Sequence, residues 1–166
     1  PGRFQMIQHS DNQPYVIVDY SHTPDGLARS LLAIRELLHE GEVHVVFGCG
    51  GDRDDSKRPE MGRISESLAS NVYLTSDNPR SEDQIAIIND ILLGIKDVDS
   101  VYINQDRREA IHHAVKSAGE NDVVLIAGKG CEKYQELNGD LYAFLDIDVG
   151  WKAWEERQQV YVSVCE

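Results

Sequence analysis

Apolar positions along the chain follow two recurring patterns. Tyr15-Val16-Ile17-Val18-Asp19, Val43-His44-Val45-Val46-Phe47 and Asp122-Val123-Val124-Leu125-Ile126-Ala127 are short, β-branched and nearly continuous. Such runs mark strands buried on both faces. Asn71 to Thr75 and Val101-Tyr102-Ile103 read as further strands. Between them, Leu27, Leu31, Ile34, Leu37 and Leu38 recur at spacings of three and four, the stripe of an amphipathic helix. Thr23 is placed to cap that helix, Pro24 suits its first position, and Gly41 is expected to end it. Helical spacing returns over 59–68, 83–95 and 107–118. In the tail, 141–144 reads as a short strand and 148–158 as an amphipathic helix carrying Trp151 and Trp154.

Before the tail, five strands alternate with four helices. That order predicts an α/β fold of Rossmann-like, doubly wound type: a mostly parallel sheet with helices on both faces. No repeat or low-complexity tract interrupts it, and 166 residues suffice for a single domain with a proper core. The opening Pro1-Gly2-Arg3-Phe4 reads as an arriving linker, since no initiator methionine precedes it.

Composition narrows the function classes. The formal net charge of −13 supplies no basic footprint for nucleic acid or for an anionic membrane. It leaves room for a local basic pocket. Cys49, Cys131 and Cys165 are odd in number and widely spaced, which fits a reducing, cytoplasmic setting better than a disulfide framework or zinc site. No apolar run approaches the ~20 residues of a membrane span.

Five polar turns follow strand segments: Asp19–Asp25, Gly48–Asp54, Asp77–Arg80, Asp106–Arg108 and Gly128–Glu132. On a parallel sheet such turns gather along the carboxyl edge, where ligands bind. In Thr75-Ser76-Asp77-Asn78-Pro79-Arg80, the proline bars Asn78 from helical geometry and stiffens the turn. It presents a carboxylate, an amide and a guanidinium, a set suited to a ligand carrying both ammonium and carboxylate groups. The same stretch also reads as a helix cap, at Ser81 or Asp77, with a surface arginine. Arg53 adds a second arginine to this edge. Gly48-Cys49-Gly50-Gly51 permits close backbone approach, as a ligand loop or simply a tight turn. Gly128-Lys129-Gly130 lacks the surrounding P-loop pattern, so no triphosphate cradle is present and any ATP chemistry needs a phosphate site on another domain. His22 reads either as a ligand-facing histidine or as a structural one. His112 and His113 fall inside a helix, and no zinc spacing or nucleophile arrangement is evident.

Taken together, these stretches resemble the C-terminal domain of the Mur ligases. Within them, the resemblance is greatest to the branch that adds the third peptide residue of peptidoglycan precursors. It covers nearly the whole chain. It rests on Pro1-Gly2-Arg3, Asp19 through Asp25, Phe47 through Asp54 with Lys57-Arg58-Pro59, and Thr75 through Arg80. It continues through Ile88 to Ile91, Asp106 to Ile111, and Asn121 to Glu132 with Tyr134-Gln135. Two positions depart from the family pattern: Cys131 stands where histidine is usual, and Gln5 where glutamate is usual.

The resemblance implies an ATP-dependent amide ligase of three domains, of which 1–166 is the C-terminal, amino-acid-binding one. UDP-sugar and central ATPase domains would lie elsewhere, and with them the P-loop and the Mg2+ site, so the fragment alone is expected not to turn over. ATP phosphorylates the carboxylate of UDP-N-acetylmuramoyl-dipeptide, and the incoming amine attacks the acyl phosphate. By motif, Arg3 and Asp19 would contact the ATP ribose and His22 the adenine side. Asp77, Asn78 and Arg80 would hold the distal end of meso-diaminopimelate, with Arg53, Gly128 and Glu132 completing the pocket. Diaminopimelate carries a distal carboxylate that lysine lacks. Against lysine, a buried Arg80 would be left unpaired, at a cost of ~3 kcal/mol or more. Lysine-adding and cyanophycin-type ligase domains, or a stand-alone binding module, are the alternatives.

Overall fold

The computed structural model describes residues 2–7 and 12–165, with side chains described as far as 159. Pro1 lies outside the described residues. The elements in order are β1 (Gln5–Met6), β2 (Tyr15–Asp19), α1 (Pro24–Leu37), β3 (Val43–Phe47), α2 (Lys57–Leu68), β4 (Asn71–Leu74) and α3 (Gln84–Leu92). They continue with β5 (Tyr102–Ile103), α4 (Arg107–Ser117), β6 (Val123–Ala127), β7 (Tyr134–Leu137), β8 (Asp140–Ala143) and α5 (Asp146–Cys165).

Six strands form one sheet in the order β1-β2-β6-β3-β4-β5. All neighbours run parallel except β1, which pairs antiparallel with β2. The expected doubly wound α/β architecture is therefore present. Alternation along the central strands sorts side chains between two cores, because successive residues point to opposite faces. Ile17, Val45, Leu125 and Leu74 pack with Leu27, Leu31, Met61, Ile64, Ile88 and Ile91 of α1, α2 and α3. Val16, Val18, Val46, Val124 and Ile126 pack with Ile111, Val115, Val149 and Trp154 of α4 and α5.

Several boundaries differ from those expected of the sequence. Thr23 caps α1, its side chain accepting from the Gly26 N–H, but the helix ends at Leu37 instead of running on to Gly41. Leu38 is already extended, and Gly41 turns the chain at φ +101°. Just after the stretch expected to be linker comes an edge strand, β1, whose two residues carry too little pattern to be read. The tail strand has a partner, β7, and the two make a separate hairpin. The last helix starts two residues earlier than expected and runs to Cys165. Among the described residues, no helix is long and apolar enough to cross a membrane.

Candidate functional site

The sheet's carboxyl edge opens into a cleft of about 580 Å³. Its lining includes Arg53, Asp77, Asn78, Arg80, Gly128 and Glu132, all six residues expected to hold the amino acid, together with His22. Four of the five polar turns supply the lining. The fifth, around Arg107, lies beneath it.

Asp77 to Arg80 is not a helix cap. Asp83 caps α3, accepting from the Ala86 N–H at 2.9 Å, and Asp77 is buried just past the end of β4. Two neighbouring segments clamp this turn. On one side, the Gly51 N–H donates to the Asn78 carbonyl (2.9 Å) and Arg80 Nη1 to the Gly51 carbonyl (2.7 Å). Asp52 accepts from the Ser81 hydroxyl at 2.7 Å and, through its own N–H, donates to Glu82 at 2.6 Å. The approach at Gly51 demands glycine, since a Cβ there would sit 1.9 Å from the Pro79 carbonyl oxygen. On the other side, the β7–β8 hairpin holds the turn. The Arg80 N–H donates to the Glu136 carbonyl (3.1 Å), the Asn138 N–H to the Arg80 carbonyl (2.7 Å), and Gln135 Nε2 to the Asp77 carbonyl (2.7 Å). These bonds keep Arg80 at φ +52°, a conformation that costs a non-glycine residue of order 1 kcal/mol and is retained where function needs it.

The Arg80 guanidinium is also engaged, with Nε 3.2 Å from the Glu136 carboxylate, and its side chain is 22% exposed. This corrects the expectation of a buried arginine left unpaired against lysine. Arg80 keeps protein partners even in an open cleft.

Beneath the turn lies a buried polar floor. Lys129 is fully buried, and its Nζ donates to Asn78 Oδ1 (2.9 Å) and Glu132 Oε2 (3.0 Å). Asn78 Nδ2 donates to the same Glu132 oxygen at 2.9 Å, closing a triangle. Arg107 forks onto Asp146, both bonds at 2.8 Å with neither side chain exposed, and donates to the Ala127 carbonyl at 3.0 Å. Arg58 similarly grips Glu82 and Asp90 and reaches the Gly50 carbonyl, anchoring the glycine-rich loop. Burial pushes the Asp77 carboxyl above its ordinary range, with Arg107 and then Lys129 pulling it back down. Gly128, at φ +117°, leaves space that a Cβ would take from Asp77, 2.7 Å from its Oδ2. Cys49 also lines the cleft, but burial pushes its thiol up to about 12, so it is inert at neutral pH.

Arg3 and Asp19 are placed elsewhere. Arg3 is exposed. Asp19, at the end of β2, accepts from the Phe4 N–H (2.9 Å) and the Ser30 hydroxyl (2.5 Å), so both oxygens have partners within the chain. His22 Nδ1 lies 2.9 Å from the Tyr20 carbonyl and donates to it. Lys129, Arg107, Arg58 and Asp146 are the site residues that sequence reasoning misses. The glycines flanking Lys129 suggest only a phosphate ligand, and the hairpin bonds have no local signal.

The fold is shared with a known family. The model of the Mur ligase glutamate ligase domain matches residues 2–130. The chain belongs to the Mur ligases. Relatives named "UDP-N-acetylmuramoyl-L-alanyl-D-glutamate--2,6-diaminopimelate ligase" include one from Prochlorococcus marinus, 46% identical over 96% of the chain and 32% of its own length. Another, from Haemophilus influenzae, is 49% identical over 89% of the chain and 30% of its own length. A solved structure of that name superposes with TM-score 0.87 at 41% identity, over 95% of the chain and 32% of its own. A Mur ligase from Thermotoga maritima, UDP-N-acetylmuramate-alanine ligase, shares the fold at TM-score 0.61 and 22% identity, over 96% of the chain and 30% of its own. The chain spans about a third of the length of the relatives it matches.

Proposed function

We propose that this Mur ligase domain binds the incoming amino acid for an ATP-dependent ligase that adds meso-diaminopimelate to UDP-N-acetylmuramoyl-L-alanyl-D-glutamate in peptidoglycan precursor synthesis. The observation that carries this reading is the composition of the cleft. Arg80 and Arg53 share it with Asp77 and Glu132, a charge pattern complementary to a side chain ending in both carboxylate and ammonium. The names of the relatives agree with it.

In this reading Arg80, clamped between Gly51 and the hairpin, presents its guanidinium to the distal carboxylate, and Arg53 serves the second carboxylate. Glu132 and Asp77 receive the distal ammonium. Asn78, whose Oδ1 accepts from Lys129 and the Glu136 N–H and whose Nδ2 donates to Glu132, shapes the pocket more than it donates to ligand. The Gly128 backbone lets the ligand pass close to Asp77. The amino acid is thereby oriented with its reacting amine toward the acyl phosphate, which converts a bimolecular encounter into an intramolecular one.

On the nucleotide side, His22 faces the adenine and Arg3 the ribose. Asp19 acts by holding the backbone of Phe4, and so the setting of Arg3, instead of spending its own oxygens on the ribose. Mg2+ and the phosphates belong to the central domain of the same ligase. The donor group with metal-like spacing among the described residues is Glu42, His44 and Asp122, on the strand N-terminal edge opposite the cleft. It does not fit a nucleotide-bound ion. The protein works in the cytoplasm, where nucleotide-linked precursors are made.

Arg80→Ala in the full-length ligase tests the assignment. Diaminopimelate kcat/KM is expected to fall at least a hundredfold, about 3 kcal/mol, with KM for ATP changed less than about threefold. Retention of wild-type kcat/KM for diaminopimelate would place its distal carboxylate elsewhere.

A further inference from the structure

Resting on that functional reading, we propose that Lys129 is a positioning residue for diaminopimelate. Its buried ammonium, directly and through the Asn78 amide, fixes the Glu132 carboxylate in the orientation that receives the ligand's distal ammonium.

Lysine is among the residues least often fully buried, and it is buried only where partners offset its lost hydration. Lys129 is 0% exposed, just past the fully buried strand β6 and between Gly128 and Gly130, both with positive φ. Its ammonium makes two charge-directed bonds, one to Asn78 Oδ1 and one to Glu132 Oε2. These bonds have consequences for the ligand. Accepting at Oδ1 obliges Asn78 to turn its Nδ2 toward Glu132, where it donates at 2.9 Å. Glu132 Oε2 thus receives both donors, and Oε1 is the oxygen left for an incoming cation.

The charges of the floor balance in the same way. Asp77 and Glu132 place two carboxylates there, and the buried Arg107 is matched by Asp146. With Lys129 present, the floor carries one net negative charge, the complement of one ammonium. Without it, two carboxylates share the floor uncompensated, two negative charges against the ligand's one ammonium. The residue does not touch the ligand itself, because no part of it reaches the surface. Its action passes through Glu132 and Asn78.

The test is a double-mutant cycle in the full-length ligase, comparing Lys129→Met, Glu132→Gln and the double variant. Initial rates are measured with meso-diaminopimelate and ATP varied separately. Lys129→Met is expected to raise KM for diaminopimelate at least tenfold, leaving KM for ATP within about twofold and kcat within about threefold. In the Glu132→Gln background, the same substitution is expected to add less than about a twofold further rise, since its effect runs through Glu132. An unchanged KM for diaminopimelate in Lys129→Met, an equal rise in KM for ATP, or full additivity in the cycle would each overturn the proposal. Should Lys129→Met not fold, Lys129→Gln, which keeps a donor for Asn78 Oδ1 without the charge, is measured in the same way. If neither folds, the role is structural and the proposal falls. Absence of diaminopimelate-dependent turnover in the wild type would instead refute the functional reading on which this rests.

Discussion

Replacing Arg107 with Met removes a guanidinium that is buried, with only 1% of the residue exposed. Both Asp146 oxygens accept from it at 2.8 Å, the Ala127 carbonyl at 3.0 Å and the Ser76 carbonyl at 3.4 Å. Those carbonyls lie at the ends of β6 and just past β4, next to Gly128 and Asp77, so Arg107 ties the floor of the cleft to the start of α5. Methionine fills much of the volume but leaves Asp146, itself wholly buried, without its charge partner. Breaking a buried pair from one side costs about 3–5 kcal/mol, most of it from the carboxylate left behind. At roughly 2–4 °C per kcal/mol for a domain of this size, the melting temperature should fall by roughly 10 °C. Differential scanning calorimetry of the 166-residue chain reads this directly. The companion Arg107→Met/Asp146→Leu should recover more than half of the loss, since a buried pair and an apolar replacement are close in free energy. A single-variant drop below about 2 °C, or a double variant no better than the single, would refute the assignment of this pair as the tie beneath the cleft.

Two further outcomes follow from the same geometry. Burial raises the Asp77 carboxyl above its ordinary value of 3.8, so the folded chain holds that proton more tightly than the unfolded one. The associated stability is fully present below the unfolded value and is lost as pH rises through the folded one. Asp77→Asn keeps the acceptor for the Asn78 N–H and should therefore melt above wild type near neutral pH. The gap should narrow as pH falls toward about 4, and a variant less stable than wild type near neutrality would show that the carboxylate is not held at a cost. Gly51→Ala drives a Cβ to 1.9 Å from the Pro79 carbonyl oxygen and must separate the two turns. It should cost about 1–3 kcal/mol in stability and raise KM for diaminopimelate more than KM for ATP; equal effects on both would show that the turns need not touch.

What can be read from the sequence is what is local. Val43–Phe47 and Val123–Ala127 declare themselves by short, nearly continuous apolar runs rich in β-branched residues, and Thr23-Pro24 marks a helix start because capping chemistry spans only a few residues. The convergence of Arg53, Asp77, Arg80 and Glu132 follows from parallel topology alone, which brings every strand's C-terminal turn to one edge. What escapes depends on distant partners. Arg107 and Asp146 are separated by 39 positions and have no periodic signature. Lys129 resembles a phosphate ligand in sequence because its burial is set by Asn78 and Glu132, not by its flanking glycines. The pairing of Arg80 with Glu136 needs the hairpin, whose strand β7 is half-polar and so lacks the apolar alternation that marks a strand.

The most direct test of the central claim is phosphate release by the full-length ligase, with UDP-N-acetylmuramoyl-L-alanyl-D-glutamate and ATP present and either meso-diaminopimelate or lysine added. The cleft geometry predicts diaminopimelate-dependent release at a kcat/KM at least about tenfold above that with lysine, about 1.4 kcal/mol, the worth of one added charge-assisted hydrogen bond. Equal rates with the two amino acids, or a preference for lysine, would contradict it.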